Sequence, residues 1–285
     1  MTAPIIETQG LSKHYGRFAA LCDVTVTIPE GRIYGVIGAN GAGKTTLLNA
    51  VLGLTSYDGH LRVLGLDPAT QRARLMQEIC FISDVATLPK WMSAEQVFDY
   101  VEGVHPRFDR AVARDYLSRT KVPPTKKIKK LSKGMTTQLH LAVVMAIDAK
   151  LLVLDEPTLG LDIIFRKQFY QSLLEEYFDA QRTVVVTTHQ VEEVEHILTD
   201  VIFIREGRVV LDAPTEDLTG RFAEITVDPE TAELLRPLGP IYERRAMGRV
   251  ALVFENPDRD RLKSHGHLKG LGLADIFVAK MGEAA

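Results

Sequence analysis

Apolar and polar positions alternate from Asp23 to Gly31, with Val24, Val26 and Ile28 on one side and Pro29-Glu30-Gly31 closing the run. A period of two with that ending predicts a half-buried antiparallel strand. The next run, RIYGVIG over 32–38, is apolar throughout and stops at glycine. That is the pattern of a strand buried on both faces. From Lys44 to Leu54 the spacing changes, and Leu47, Leu48, Val51 and Leu52 fall on one face of a helix. Short strand-like runs follow at 61–65 and 79–83. Residues 90–148 read as mostly helical, broken at Pro106, Pro123 and Pro124. LLVLDEP (151–157) and TVVVTTH (183–189) are further buried strands. An amphipathic helix is expected over 166–179, helix over 191–198, and a hairpin over 200–212 that turns near Glu206-Gly207.

Buried strands alternating with helices predict an α/β core around a parallel sheet. The antiparallel strands over 5–28 and the hairpin at 200–212 are expected to form a β layer attached to that core. Near Thr219-Gly220 the pattern restarts as strand, helix, two strands, helix and a last element. The expected division is therefore 1–219, containing a helical subdomain at about 85–148, and 220–285 as a small C-terminal α+β accessory unit. No internal repeat or low-complexity segment interrupts it.

Composition narrows the picture little. The chain has 285 residues, 46% of them apolar, and a net charge of −3. That suits one large domain with an appendage. The near-neutral balance gives no basic excess, so no nucleic acid partner is expected. Cys22 and Cys80 show no metal-ligand spacing and read as small buried hydrophobes in a reducing compartment. MTAPIIETQG has neither a charged n-region nor an apolar h-region, and no stretch reaches the roughly 18–20 apolar residues of a membrane span. A cytoplasmic protein is the expectation. The basic run KKIKKLSK (126–133) reads as a solvated face, with contact to a membrane partner or anionic headgroups as the alternative. His140 and His196 read as structural, and His265 and His267 as surface loop.

GANGAGKTT (38–46) changes the picture most. It follows a buried strand, opens a helix and fits G-x-x-x-x-G-K-[ST] from Gly38 to Thr45. Glycines let such a backbone fold into a nest of N–H groups, and the helix start adds free amides and its dipole. Gly38, Asn40, Gly41, Ala42 and Gly43 would cradle phosphates. Lys44 would bridge the β and γ phosphates, the Thr45 hydroxyl would ligate Mg²⁺, and Thr46 would reach the α phosphate. The spacing predicts a P-loop NTPase core that holds the phosphates of a nucleotide, expected to be ATP. Asp155 and Glu156 then end a buried strand and point to opposite sides. One can face Mg²⁺, through water, while Glu156 serves as general base for the attacking water.

LSKGM (131–135) holds no acid or base that could act alone, and Ser132 there could be an ordinary helix N-cap. Taken in order, the phosphate loop, LSKGM, LLVLDEPTLGLD and TTH resemble the ATP-binding cassette (ABC) ATPases over residues 1 to about 220. The resemblance implies that Ser132 and Gly134 cap the γ phosphate of ATP bound to an opposite subunit, in a homodimer or a pair with a second cassette. It implies that Tyr15 stacks on adenine, His189 is a switch histidine contacting the γ phosphate, and Asp162 couples the two sites. Lys133, Met135 and Gln138 depart from the commonest signature. Asp84 stands where the family usually carries a glutamine that senses Mg²⁺, and is expected to report on the metal with altered geometry. The family implies an ATPase on the cytoplasmic face of the membrane. It would drive a separate integral membrane permease that docks near 85–105, including Trp91 and Met92. The tail LADIFVAKMG resembles cassettes that export drugs, lipids or polysaccharides. Two other readings stand beside it: a soluble ABC ATPase acting in assembly, repair or translation, and an ATP-gated clamp without turnover.

Overall fold

The computed structural model describes residues 4–83, 88–159, 162–179 and 181–282. A hairpin, β1 (Ile6–Tyr15) and β2 (Phe18–Ile28), leads through β3 (Ile33–Ile37) into α1 (Lys44–Val51). Next come β4 (Asp58–Val63), α2 (Pro68–Leu75) and β5 (Ile79–Ser83). Three helices follow, α3 (Ala94–Val104), α4 (Arg110–Ser118) and α5 (Lys133–Met145), before β6 (Leu151–Asp155). α6 (Ile163–Ser172) runs on into a π-helical turn at Leu173–Tyr177 and precedes β7 (Thr183–Thr188). α7 (Val191–Val194), β8 (Asp200–Arg205), β9 (Arg208–Pro214) and α8 (Thr215–Arg221) bring the chain to its last part. That part is β10 (Phe222–Val227), α9 (Pro229–Leu235), β11 (Tyr242–Ala246), β12 (Arg249–Glu255), α10 (Arg259–Lys263), β13 (Leu268–Lys269) and α11 (Leu273–Met281).

The central sheet has the order β5-β6-β7-β3-β8-β9, parallel except for β9. Its strands are apolar on both faces because both are covered. Ile33, Ile37, Leu152, Leu154, Val184 and Val186 turn to one side, where residues of α5, α6 and α7 meet them. Tyr34, Val36, Leu151, Val153 and Val185 turn to the other, against α1 and a three-stranded antiparallel layer of order β2-β1-β4. Residues of α3, α4 and α5, with Phe98, Leu117 and Leu139, form a separate apolar cluster.

The expected attachment of the 200–212 hairpin to the antiparallel layer is corrected. β8 lies parallel to β3 inside the central sheet, and β9 forms that sheet's edge. Burial of Asp200–Ile204 on both faces is the reason. The turn itself is as expected, with Glu206 and Gly207 both at positive φ in a two-residue loop. Helix over 191–198 shrinks to the four residues of α7, after which the chain turns and leaves His196 exposed. α2 was not anticipated, although Asp67 caps it and Pro68 opens it. Cys80 is buried, and burial pushes its thiol up to about 12, but Cys22 is only half-buried.

The C-terminal strands pair antiparallel in the order β11-β12-β10-β13. With α9 and α10 they make a split β-α-β unit. Ile225, Val227, Leu252 and Phe254 pack under the two helices. Phe222 and Val253, with Ile276 and Ala279 of α11, instead join the core cluster of the central sheet.

Candidate active site

Sheet register assembles the site. Ile37 pairs with Thr188, and Asp155 with Thr187. The residues that follow β3, β6 and β7 therefore leave the sheet side by side, at the carboxyl ends of parallel strands where ligands bind in such folds. Those residues are Gly38, Glu156 and His189.

Local sterics shape the loop between β3 and α1. A Cβ on Gly38 would lie 2.5 Å from the Ile204 carbonyl oxygen, and one on Gly43 2.5 Å from that of Ala20. Gly41 and Gly43 have φ of 81° and 111°, which side chains resist. Lys44 is 6% exposed, and its ammonium donates to the Gly38 and Ala39 carbonyls at 2.7 and 3.3 Å. It also stands 3.5 Å from Glu156 Oε1.

The acids behave differently from each other. Asp155 Oδ1 accepts from Thr45 Oγ1 at 3.3 Å and from Thr187 Oγ1 at 2.6 Å. Glu156 has φ 49°, a left-handed conformation that is strained for a residue with a Cβ. Its amide is fixed across the sheet, donating to Thr187 O at 3.2 Å and Thr187 Oγ1 at 3.1 Å. Its carboxylate oxygens lie 3.0 and 2.9 Å from His189 Nδ1. Behind them, burial raises the pKa of the Tyr170 phenol, and the charge of Glu156 raises it further.

A cavity of about 250 Å³ opens over these groups, lined by Tyr15, Asn40, Gly41, Gly43, Lys44, Thr45, Thr46 and Glu156. Gly38 and Ala42 are buried behind the loop. Phe18 and Ala20 also line the cavity. Phe18 faces Tyr15 across the first hairpin, and both rings are exposed. Sequence reading missed Phe18, whose signal is an aromatic directly after a Gly-Arg turn. It also missed Thr187, one of three buried threonines in β7 and itself at 0% exposure.

Three expected site residues lie elsewhere. Ser132 is exposed at the start of α5, where its hydroxyl accepts from the Met135 amide at 3.2 Å. Gly134 is buried, and a Cβ there would clash with the outer edge of the Phe165 ring. Asp162 caps α6, accepting from the Ile164 and Phe165 amides at 3.0 and 3.1 Å. None of the three lines the cavity. Asp84 lies outside the described residues. Of the docking pair, Trp91 is 63% exposed and Met92 packs into the helical cluster. His140 is buried in α5, while His265 and His267 line a cleft beside Glu224 on the C-terminal sheet.

Comparison with known proteins decides the family. The model for the ABC transporter family matches residues 21–159. The Nod factor export ATP-binding protein I of Sinorhizobium fredii is 34% identical over 301 residues, covering 97% of this chain and 86% of that one. The chain belongs to the ABC transporter family. Another relative of this ABC subunit is the ABC transporter ATP-binding protein YtrB of Bacillus subtilis, 27% identical over 98% of both chains. Among solved structures, an ATP-binding subunit of an ABC transporter has a TM-score of 0.66 at 22% identity, with 76% of this chain and 92% of that one covered. The cbiO1 subunit of Clostridium perfringens, part of the ABC transporter complex cbiONQ, has 0.66 at 23% identity, covering 83% and 94%. The P-loop ATPase fold is thus shared. This ABC subunit binds ATP and hydrolyses it as the nucleotide-binding component of a transporter. Relatives that are ATP-binding subunits of transporters imply a membrane permease as partner. Among the described residues no helix is long and apolar enough to cross a membrane.

Proposed function

We propose that two copies of this chain, or this chain and a second cassette, close around two ATP molecules and drive a separate permease in the export direction. The observation that carries the reading is the division of the site. Lys44, Thr45 and Glu156 share one cavity, while Ser132 and Gly134 stand outside it. Ser132 uses its oxygen as an acceptor within α5, which leaves its proton to donate to an anion. The α5 N-terminus adds amides and a dipole. In a dimer that surface completes the γ-phosphate cradle of the opposite copy.

Each side chain then has a task. Tyr15 offers its face to adenine, and the loop amides with Thr46 hold the phosphate chain. Lys44, already desolvated among carbonyls, meets the β and γ phosphates. Glu156 takes a proton from the water whose oxygen bonds to the γ phosphorus. The bond from that phosphorus to the β–γ bridging oxygen breaks, and its electron pair leaves with ADP. His189 holds the Glu156 carboxylate through Nδ1 and turns toward the γ phosphate. Asp162 links one site to the other. The Thr45 hydroxyl and Asp155 carboxylate converge as hard oxygen donors, a set that suits Mg²⁺, with Asp155 acting through water. A Mg²⁺ held by these residues would offset negative charge on the phosphate chain. Hydrolysis removes the group both copies hold, so the difference in binding between closed and open forms becomes available as work. The exposed Trp91 suits docking on the permease at the cytoplasmic face of the membrane. The export direction is supported by the name of the Sinorhizobium relative and by the tail over 273–282.

The test is Glu156→Gln with saturating Mg-ATP, followed by size-exclusion chromatography with light scattering. A dimer is expected, together with a wild-type turnover per molecule that rises with protein concentration. A monomeric variant beside a concentration-independent wild-type rate refutes the composite site.

A further inference from the structure

α7 directly follows His189, yet little in its own sequence holds it in place. It is one turn long, and Gln190 gives it no side-chain cap. Its backbone bonds include the Glu193 amide on Gln190 O at 3.4 Å, and the Glu195 amide on Val191 O and the Ile197 amide on Val194 O, both at 2.9 Å. A single turn of helix is unstable in water, so its position is set by what it packs against. One edge is held by polar groups of the ATPase core. Arg166 of α6 pairs with Glu193 and also reaches Gln190, and Thr158 Oγ1 donates to Glu193 Oε2 at 3.3 Å.

The apolar side belongs to the C-terminal unit. α11 packs on α7, and Leu273, Ile276 and Ala279 share one buried cluster with Val191, Val194, Ile197 and Leu198. α11 is itself anchored. Phe277 meets Phe203 edge to face, with ring centroids 5.3 Å apart. Phe203 pairs in register with Ile37, the last residue before the phosphate loop. Arg205 donates to the Lys280 carbonyl at 3.1 Å, and Lys280 Nζ to Glu255 Oε2 at 2.7 Å. Arg221 holds Glu255 from its other side. The last helix of the accessory unit is thus wedged between its own sheet and the segment that carries the switch histidine.

We propose that α11 is a positioning element for His189, with Ile276, 1% exposed at its centre, holding α7 so that Nδ1 stays on the Glu156 carboxylate. The 220–285 unit thereby sets the turnover rate of a site it does not touch. This rests on the assignment of Glu156 and His189 made above. Packing on α7 is what gives a remote helix leverage here, because a one-turn element has no rigidity of its own to resist displacement.

The experiment is a double-mutant cycle on the full chain, using Ile276→Ala and His189→Ala. Three readouts are followed: Mg-ATP turnover, equilibrium ATP binding, and hydrogen exchange at the Glu195 and Ile197 amides. In Ile276→Ala, exchange at those amides should rise by about tenfold or more, as expected for a locally loosened turn. Turnover should fall roughly fivefold or more with ATP affinity nearly unchanged, the pattern of a lost transition-state contact. In the His189→Ala background the same substitution should cost nothing further. Ile276→Leu, which restores the volume, should restore turnover. Lys280→Gln frees the end of α11 without opening the core, and gives a smaller effect of the same kind should Ile276→Ala not fold. Equal losses from Ile276→Ala with and without His189, or unchanged exchange in either variant, overturn the proposal. Full turnover in His189→Ala alone overturns instead the catalytic assignment beneath it.

Discussion

His140 lies on α5 at 5% exposure, and neither ring nitrogen reaches a hydrogen-bond partner. Burial lowers its pKa from 6.5 to about 4. As pH falls below 6.5 the unfolded chain takes up a proton on this ring, while the folded chain refuses it until near pH 4. Stability therefore declines over that window, by about 2 kcal/mol between pH 7.5 and pH 5 from this one group. His140→Leu should raise the melting temperature and make it fall less between those two pH values in scanning calorimetry. A fall as steep as that of the unaltered chain contradicts this account. Other residues owe their roles to geometry of different reach. Lys44 and Thr45 were legible because their chemistry depends on a run of eight neighbouring residues. Thr187 was not, because it reaches Asp155 only through the pairing of two strands 32 residues apart.

At the scale of the element, capping residues set where the helices begin. Ser93 and Gln96 form a reciprocal capping box on α3, and Asp109, Ser132 and Asp162 start α4, α5 and α6. Two of these, Ser132 and Asp162, are also proposed functional residues, so cap and function must be separated. Asp162→Ala should cost about 1 kcal/mol by losing the cap. Asp162→Ser should keep most of that stability in urea titrations while still impairing ATP hydrolysis. Full hydrolysis in the Ser variant leaves Asp162 as a cap alone. Gly134 shows a related overlap. Its place in the signature needs no phosphate to explain it locally, because the Phe165 ring leaves no room for a Cβ. Period and length located the buried strands well. They gave α7 too many residues and passed over α2, because a one-turn helix and an eight-residue polar one leave almost no apolar repeat.

At the scale of the whole molecule, one apolar cluster crosses from the central sheet into the C-terminal unit through Phe222, Val253 and Ile276. Phe203 and Phe277 add an edge-to-face pair across the same junction. Amides of β10 and β12 should therefore exchange with the same free energy as those of β3 and β7 in native-state hydrogen exchange, as members of one cooperative unit. Markedly faster exchange in β10 and β12 indicates an independently opening appendage. The sequence by itself determined the α/β class, the phosphate loop, the acid pair and the restart after residue 220. Each of these is written in spacing along a few residues, where backbone geometry and side-chain periodicity act directly. Only the tertiary structure placed the 200–212 hairpin in the central sheet, set His189 Nδ1 directly on the Glu156 carboxylate, and laid α11 against α7. Those outcomes depend on strand register and on which apolar faces cover one another. Pairing and burial join positions far apart in the chain, and a one-dimensional pattern does not record their partners.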